Sequence, residues 1–254
     1  MDTLTIQTFA IVCPLVFLAG FVDAIGGGGG LISLPAYLLA GLPAHQAIAT
    51  NKLSSTCGTA LATARFTYRG LIDWRLALPS VAAALIGAFT GANLSLRVNS
   101  AVLEKILYAV LPVTALLVLR RDTLKDHVEI DRRSERRSAL IAAAASLVIG
   151  VYDGFYGPGT GTFLIIAFSL FAAMDVRTAN GRCKAVNLTT NVTSLMVFLH
   201  GGQVLLPLGL AAAACNMLGN YLGSGLALSS GTKVTRPIIL FVLVLLALRV
   251  AGVY

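Results

Sequence analysis

The 254-residue chain is 57% hydrophobic and only 12% charged, with a net charge of +8 and a mean hydropathy of +0.83. A soluble domain carries about 25% charged residues, so a soluble globule is excluded and lipid is the solvent for most of the surface. Twelve of the thirty charged residues crowd into residues 120–137, seven basic and five acidic. The charge is therefore concentrated in one solvated linker of mixed sign, and it gives no argument for nucleic acid.

In chain order, the start "MDTLTIQTFAIVCPLVFLAG" has an acid and no basic residue, which predicts a retained first span at about 4–25 in place of a cleaved signal. Five glycines, Gly26 to Gly30, then break the helix before a short apolar segment at 31–42. Segments at about 45–67, 74–96 and 101–119 complete a first unit. After the linker, segments at about 138–152, 161–174, 177–199, 204–228 and 234–253 repeat the order, and "YDGFYGPGTGTFL" stands where the glycines stood. Trp74 reads as an interfacial anchor at the head of its segment.

The two units share a register. At an offset of 130, Gly20, Asp23, Gly27 and Gly29 fall on Gly150, Asp153, Gly157 and Gly159. After a two-residue shift, Ala47, Lys52, Gly70, Gly87 and Gly91 fall on Ala179, Lys184, Gly202, Gly219 and Gly223. A register that carries an acid and a lysine over so many positions predicts an internal duplication, with repeats at 1–119 and 138–254 around a linker at 120–137. If every segment crosses and the linker is cytoplasmic, thirteen basic residues lie inside and three outside, which fits the positive-inside rule. Five segments per unit is odd, so the second unit enters the membrane upside down. The expected fold is an all-α membrane protein, a helical bundle of two inverted repeats with broken helices and about 8–10 transmembrane segments.

A helix broken inside lipid strands backbone groups at several kcal/mol each, so the break must face protein or a wet cavity. The helix restarting there aims N–H groups and its positive dipole end into that cavity, which suits an anion. Gly28, Gly29 and Gly30 are the candidate contacts in the first unit, and Gly159, Thr160, Gly161 and Thr162 in the second. "GPGTGT" lacks the Lys-Ser/Thr ending of a phosphate loop and has no βαβ unit around it, so a nucleotide site is not expected.

Lys52 and Lys184 lie well inside their segments, and an ionisable group inside a span is a functional hypothesis by default. Thr50, Asn51, Ser54, Ser55 and Thr56 surround the first lysine. Asn180, Lys184, Asn187 and Asn191 recur every three or four residues, forming one polar stripe on a helix. Asp23 and Asp153 end the first segment of each unit and are candidates to pair with the lysines or to take up protons. The four cysteines form no CxxC motif, and His45, His127 and His200 do not cluster, so no metal, cofactor or catalytic residue is expected.

The stretches "GFVDAIGGGGGLISLPAYLLAGLPAHQAIATNKLSSTCGT", "GVYDGFYGPGTGTFL" and "TANGRCKAVNLTTN" together resemble the sulfite exporter TauE/SafE family, also called the toluenesulfonate uptake permease family, over nearly the whole chain. The resemblance implies a multi-pass inner-membrane transporter of sulfite, thiosulfate or organosulfonates such as sulfoacetate. It assigns function to Asp23, Gly27 to Gly30, Thr50, Asn51 and Lys52, and to Asp153, Gly157 to Gly161, Asn180, Lys184 and Asn187. The expected partners are a small anionic substrate and the lipid bilayer, with a homodimer left open. A passive anion channel, or a carrier of another small anion or a metal ion, is the alternative on the same scaffold.

Overall fold

The computed structural model describes residues 5–99, 101–103 and 135–230. The fifth segment of each unit (apart from 101–103) and the charged linker as far as residue 134 lie outside the described residues. Among the described residues the complete helices are α1 (Ile6–Gly26), α2 (Gly30–Leu39), α3 (Ala44–Tyr68) and α4 (Trp74–Arg97), then α5 (Glu135–Phe155), α6 (Thr160–Leu170), α7 (Val176–His200) and α8 (Leu206–Ser230). The lengths run 21, 10, 25 and 24 residues and then 21, 11, 25 and 25.

Among the described residues three helices, α1, α4 and α5 from Arg136, are long and apolar enough to cross a bilayer, while α2 and α6 are short apolar helices. At about 1.5 Å per residue the short ones climb roughly 15 Å, half of a hydrocarbon core. They arise where α1 and α5 stop. Gly27 ends α1 with φ 75°, and Gly159 precedes α6 with φ 81°, conformations that a side chain disfavours.

The units are interleaved. α1 packs most extensively on α8, and α4 on α5. Small residues bring these backbones together: Gly87 and Gly91 of α4 lie on the α5 backbone at Leu147 and Val151, and Gly219 and Gly223 of α8 lie on the α1 backbone at Phe17 and Phe21. α3 and α7 pack on each other in opposite directions. The N–H of Leu205, just past α7, donates to Thr50 Oγ1 near the start of α3 at 3.1 Å, whereas Gly181 near the start of α7 rests on Leu71, just past α3. Two equivalent helices so placed relate their units by inversion.

Polarity is sorted accordingly. Leu78, Leu85, Ile86 and Phe89 on α4, and Leu210, Leu218 and Leu222 on α8, are exposed, as expected of surfaces solvated by acyl chains. Lys52, Asp153, Lys184, Asn187 and Asn191 are buried. Asp73 and Asp175 cap α4 and α7, accepting two backbone N–H bonds each. His45 lies in the first turn of α3, where Nε2 meets the Ser95 carbonyl at 3.0 Å, and Pro43 stands at the N-cap of that helix.

Candidate functional site

Ending α1 in the middle of the protein leaves its last carbonyls without helical partners. Donors from the second unit take them. Asn180 Nδ2 donates to Ile25 O at 3.1 Å, Thr162 Oγ1 to Gly26 O at 2.9 Å, and the Thr162 N–H to Gly27 O at 3.2 Å. Lys184 Nζ donates to Asp23 O. The negative end of α1 thus abuts the positive end of α6, a favourable arrangement of helix dipoles. A Cβ on Gly161 would lie 2.5 Å from Gly27 Cα, so only glycine permits this approach.

The second break is closed differently, by its own neighbours. Thr160 Oγ1 lies 2.7 Å from both Asp153 Oδ1 and Gly157 O, and the Tyr152 hydroxyl donates to Pro158 O at 2.7 Å. A Cβ on Gly30, the first residue of α2, would lie 3.1 Å from Pro158 Cα. The two breaks and the starts of both short helices therefore meet at one place.

A cavity of about 30 Å³ lies there. Gly29, Gly30 and Ser33 border it from α2, and Gly159, Thr160 and Gly161 from α6. α3 contributes Asn51, Lys52, Ser55 and Thr59, and α7 contributes Asn187 and Asn191. Asp23, Asp153 and Asn216 complete its polar wall.

The buried charges are paired across the units. Lys52 of the first meets Asp153 of the second at 2.8 Å, and Lys52 Nζ also donates to Asn191 Oδ1 at 3.1 Å. Lys184 of the second lies 3.6 Å from the Asp23 carboxylate of the first. The pairing suggested by the sequence is present, in crossed form. Four charges that sum to zero make the site a dipolar chamber. Its field for an anion comes chiefly from the converging helix N-termini and the amide groups, because each ammonium is screened by its own carboxylate.

Of the residues singled out in the sequence, Gly29, Gly30, Asn51, Lys52, Gly159, Thr160, Gly161, Asn187 and Asn191 reach the cavity, as do Asp23 and Asp153. Gly28 does not border it and accepts the Leu31 N–H instead. Thr50 holds the turn before α8, and Thr162, Asn180 and Lys184 bind the end of α1. The polar stripe on α7 is therefore divided: its first half is structural and its second half faces the cavity. Ser33, Thr59 and Asn216 were not anticipated. Thr59 was findable, because an offset of 132 places it on Asn191, as it places Ser55 on Asn187. Asn216 had a weaker signal, one of two amides, with Asn220, a helical turn apart in an apolar run.

Among the described residues no group of three or more His, Cys, Asp and Glu side chains comes together to hold a metal.

The family profile described as Sulfite exporter TauE/SafE matches residues 12–250. The probable membrane transporter protein ORF9 of a Sinorhizobium species is 35% identical over 249 residues, covering 98% of this chain and 94% of that protein. The probable membrane transporter protein YfcA of Escherichia coli K12 is 33% identical over 246 residues, covering 94% and 90%. A probable membrane transporter protein of Haemophilus influenzae is 32% identical over 234 residues, covering 92% and 91%. No solved structure matches the chain.

Proposed function

The chain belongs to the sulfite exporter TauE/SafE family of membrane transporters, and on that premise we propose that it is a secondary transporter of small sulfur-containing anions. Sulfite, thiosulfate and organosulfonates such as sulfoacetate are the substrate class, carried across a bacterial inner membrane with the central charged loop in the cytoplasm.

One observation carries the reading. Two short helices begin at the same enclosed polar cavity, bringing the positive ends of two helix dipoles to bear on one spot. Discontinuous helices at the interface of inverted repeats are how carriers build anion sites at mid-bilayer. Asn51, Asn187, Asn191 and Asn216 add amide donors that suit the several oxygens of a sulfonate.

The position of the cavity bears on mechanism. Its walls come from both units, and a wall shared by two inverted units changes when one unit rocks against the other. That is alternating access.

Counterflow tests the proposal. Protein reconstituted in vesicles preloaded with unlabelled anion should accumulate labelled sulfite, thiosulfate or sulfoacetate transiently above equilibrium. Flux without trans-stimulation identifies a pore, and absence of flux for all three removes sulfur anions as the cargo.

A further inference from the structure

Duplication makes the two Lys–Asp pairs equivalent in sequence, but they are unequal in space. Lys184 is fully buried, does not border the cavity, and is tied to the backbone carbonyl of Asp23 as well as lying 3.6 Å from its carboxylate. Neutralising that carboxylate leaves the ammonium still bound to the end of α1. Lys52 and Asp153 both border the cavity, in contact at 2.8 Å. Asp153 Oδ2, like Asp23 Oδ2, accepts no aligned hydrogen bond beyond its ion pair, while Asp153 Oδ1 takes the Thr160 hydroxyl. Neutralising this carboxylate leaves Lys52 beside the cavity with the Asn191 amide oxygen as its remaining partner.

Charge balance gives the difference a use. An anion entering a chamber of zero net charge inside the protein brings a charge with no compensation, which is costly where the dielectric is low. One proton on Asp153 makes the chamber singly positive and turns Lys52 toward the anion. We propose, on the anion reading of the site, that Asp153 is the proton-coupling group of the carrier: Oδ2 takes up one proton with each monovalent anion and releases it with that anion on the far side. Lys184–Asp23 is the fixed counterpart, which anchors α1.

The surroundings of Asp153 are consistent with such a role. α3 presents Lys52, and α1 places Asp23 on the same cavity. α7 brings Cys183 into electrostatic range of Asp153, while its Lys184 is paired with Asp23. α5 itself carries Tyr152 and Tyr156 beside it. α4, the most extensive neighbour of α5, approaches it at Ala84, Gly87, Ala88 and Gly91, and carries its ionisable groups, Arg75 and Arg97, at its two ends. α6 supplies Thr160 and α8 supplies Asn216, both neutral. Arg182, the other buried cation of α7, has Asp73 as its charge neighbour.

The test uses anions of strong acids, which carry no proton of their own near neutrality: labelled methanesulfonate, or thiosulfate if counterflow selects it. In vesicles containing a trapped pH dye, wild-type uptake should be accompanied by proton entry. For a monovalent anion, a two-unit inward proton gradient should support accumulation approaching 100-fold, tenfold per pH unit. The readout for variants is a ratio within each variant, uptake with the gradient divided by uptake without it. Asp153→Asn should bring that ratio to one, Thr160→Val should lower it, and Asp175→Asn, at a capping carboxylate away from the cavity, should retain the wild-type ratio. Anion movement by wild type without proton movement overturns the inference while leaving the carrier intact, as does a retained ratio in Asp153→Asn. If neither anion shows counterflow, the anion reading falls and this inference falls with it.

Discussion

The seam between α1 and α6 predicts a severe effect from one methyl group. In Gly161→Ala the added Cβ would lie 2.5 Å from both Gly27 Cα and Gly27 O, where ordinary contacts begin at 3.4 Å. The backbones must part by about 0.9 Å, since neither atom belongs to a side chain that can rotate away. Overpacking of this kind costs about 1–3 kcal/mol. Parting also stretches the two bonds from Thr162 to Gly26 O and Gly27 O, each worth about 0.5–1.5 kcal/mol. The total is about 2–6 kcal/mol, and at about 2–4 °C per kcal/mol the midpoint of thermal unfolding in detergent should fall by roughly 10 °C. Counterflow should fall with it, because the start of α6 shifts relative to the cavity. Gly70→Ala is the control: its φ is +68° with nothing within 4 Å, so it should cost about 1–2 kcal/mol of backbone strain and keep its transport. A Gly161→Ala protein with wild-type midpoint and flux would refute the close seam and the account of how α1 ends.

Other substitutions separate structural from binding roles. Lys52→Ala leaves the buried Asp153 carboxylate alone and should cost about 3–5 kcal/mol, read as a lowered unfolding midpoint, whereas Lys184→Ala, whose partner Asp23 is part-exposed, should cost less. The double change Lys52→Met with Asp153→Leu removes both charges and should recover most of that stability while anion flux stays lost, which a stability assay and counterflow together check. Thr162→Val strands the Gly26 carbonyl and should lower the midpoint by an amount worth about 1–3 kcal/mol. Asn191→Ala removes a cavity amide and the acceptor of Lys52, so labelled-anion affinity should weaken by more than midpoint stability would predict.

The sequence made the helical breaks and their pairing legible because both depend on local chemistry. Five glycines, or Gly-Pro-Gly, cannot continue a helix, and a register of glycines, an acid and a lysine survives translation along the chain. Crossing of the ion pairs was not legible. Lys52 is as close in sequence to Asp23 as Lys184 is to Asp153, and only the interleaving of inverted units gives each lysine the other unit's acid. The role of Asn180 was hidden for a related reason. A helical stripe fixes which residues share a face, but the neighbour changes along that face, from the end of α1 at Asn180 to the cavity at Asn187 and Asn191.

The departures from the duplication identify where the units have divided their labour. At equivalent positions the first unit has Ile32, Ile48, Ala84 and Ala88, and the second has Thr162, Asn180, Asn216 and Asn220. Every polar member is in the second unit. Thr162 and Asn180 bind the end of α1, a service that Ile32 and Ile48 cannot return to α5, which is why Thr160 and Tyr152 close that break locally. Asn216 and Asn220 lie where α8 crosses Gly20 of α1 and Gly58 of α3, and Asn220 Nδ2 donates to Asn216 Oδ1 at 2.7 Å. The matching crossing of α4 with Gly150 of α5 is made by Ala84 and Ala88 and is wholly apolar. Two copies that began alike have thus become an anchored half-site and a half-site open to the cavity, and a transported anion meets them as different surfaces. That difference reaches the cavity wall at Asn51, Lys52 and Asn216, which border it while Cys183, Lys184 and Ala84 at the equivalent positions do not.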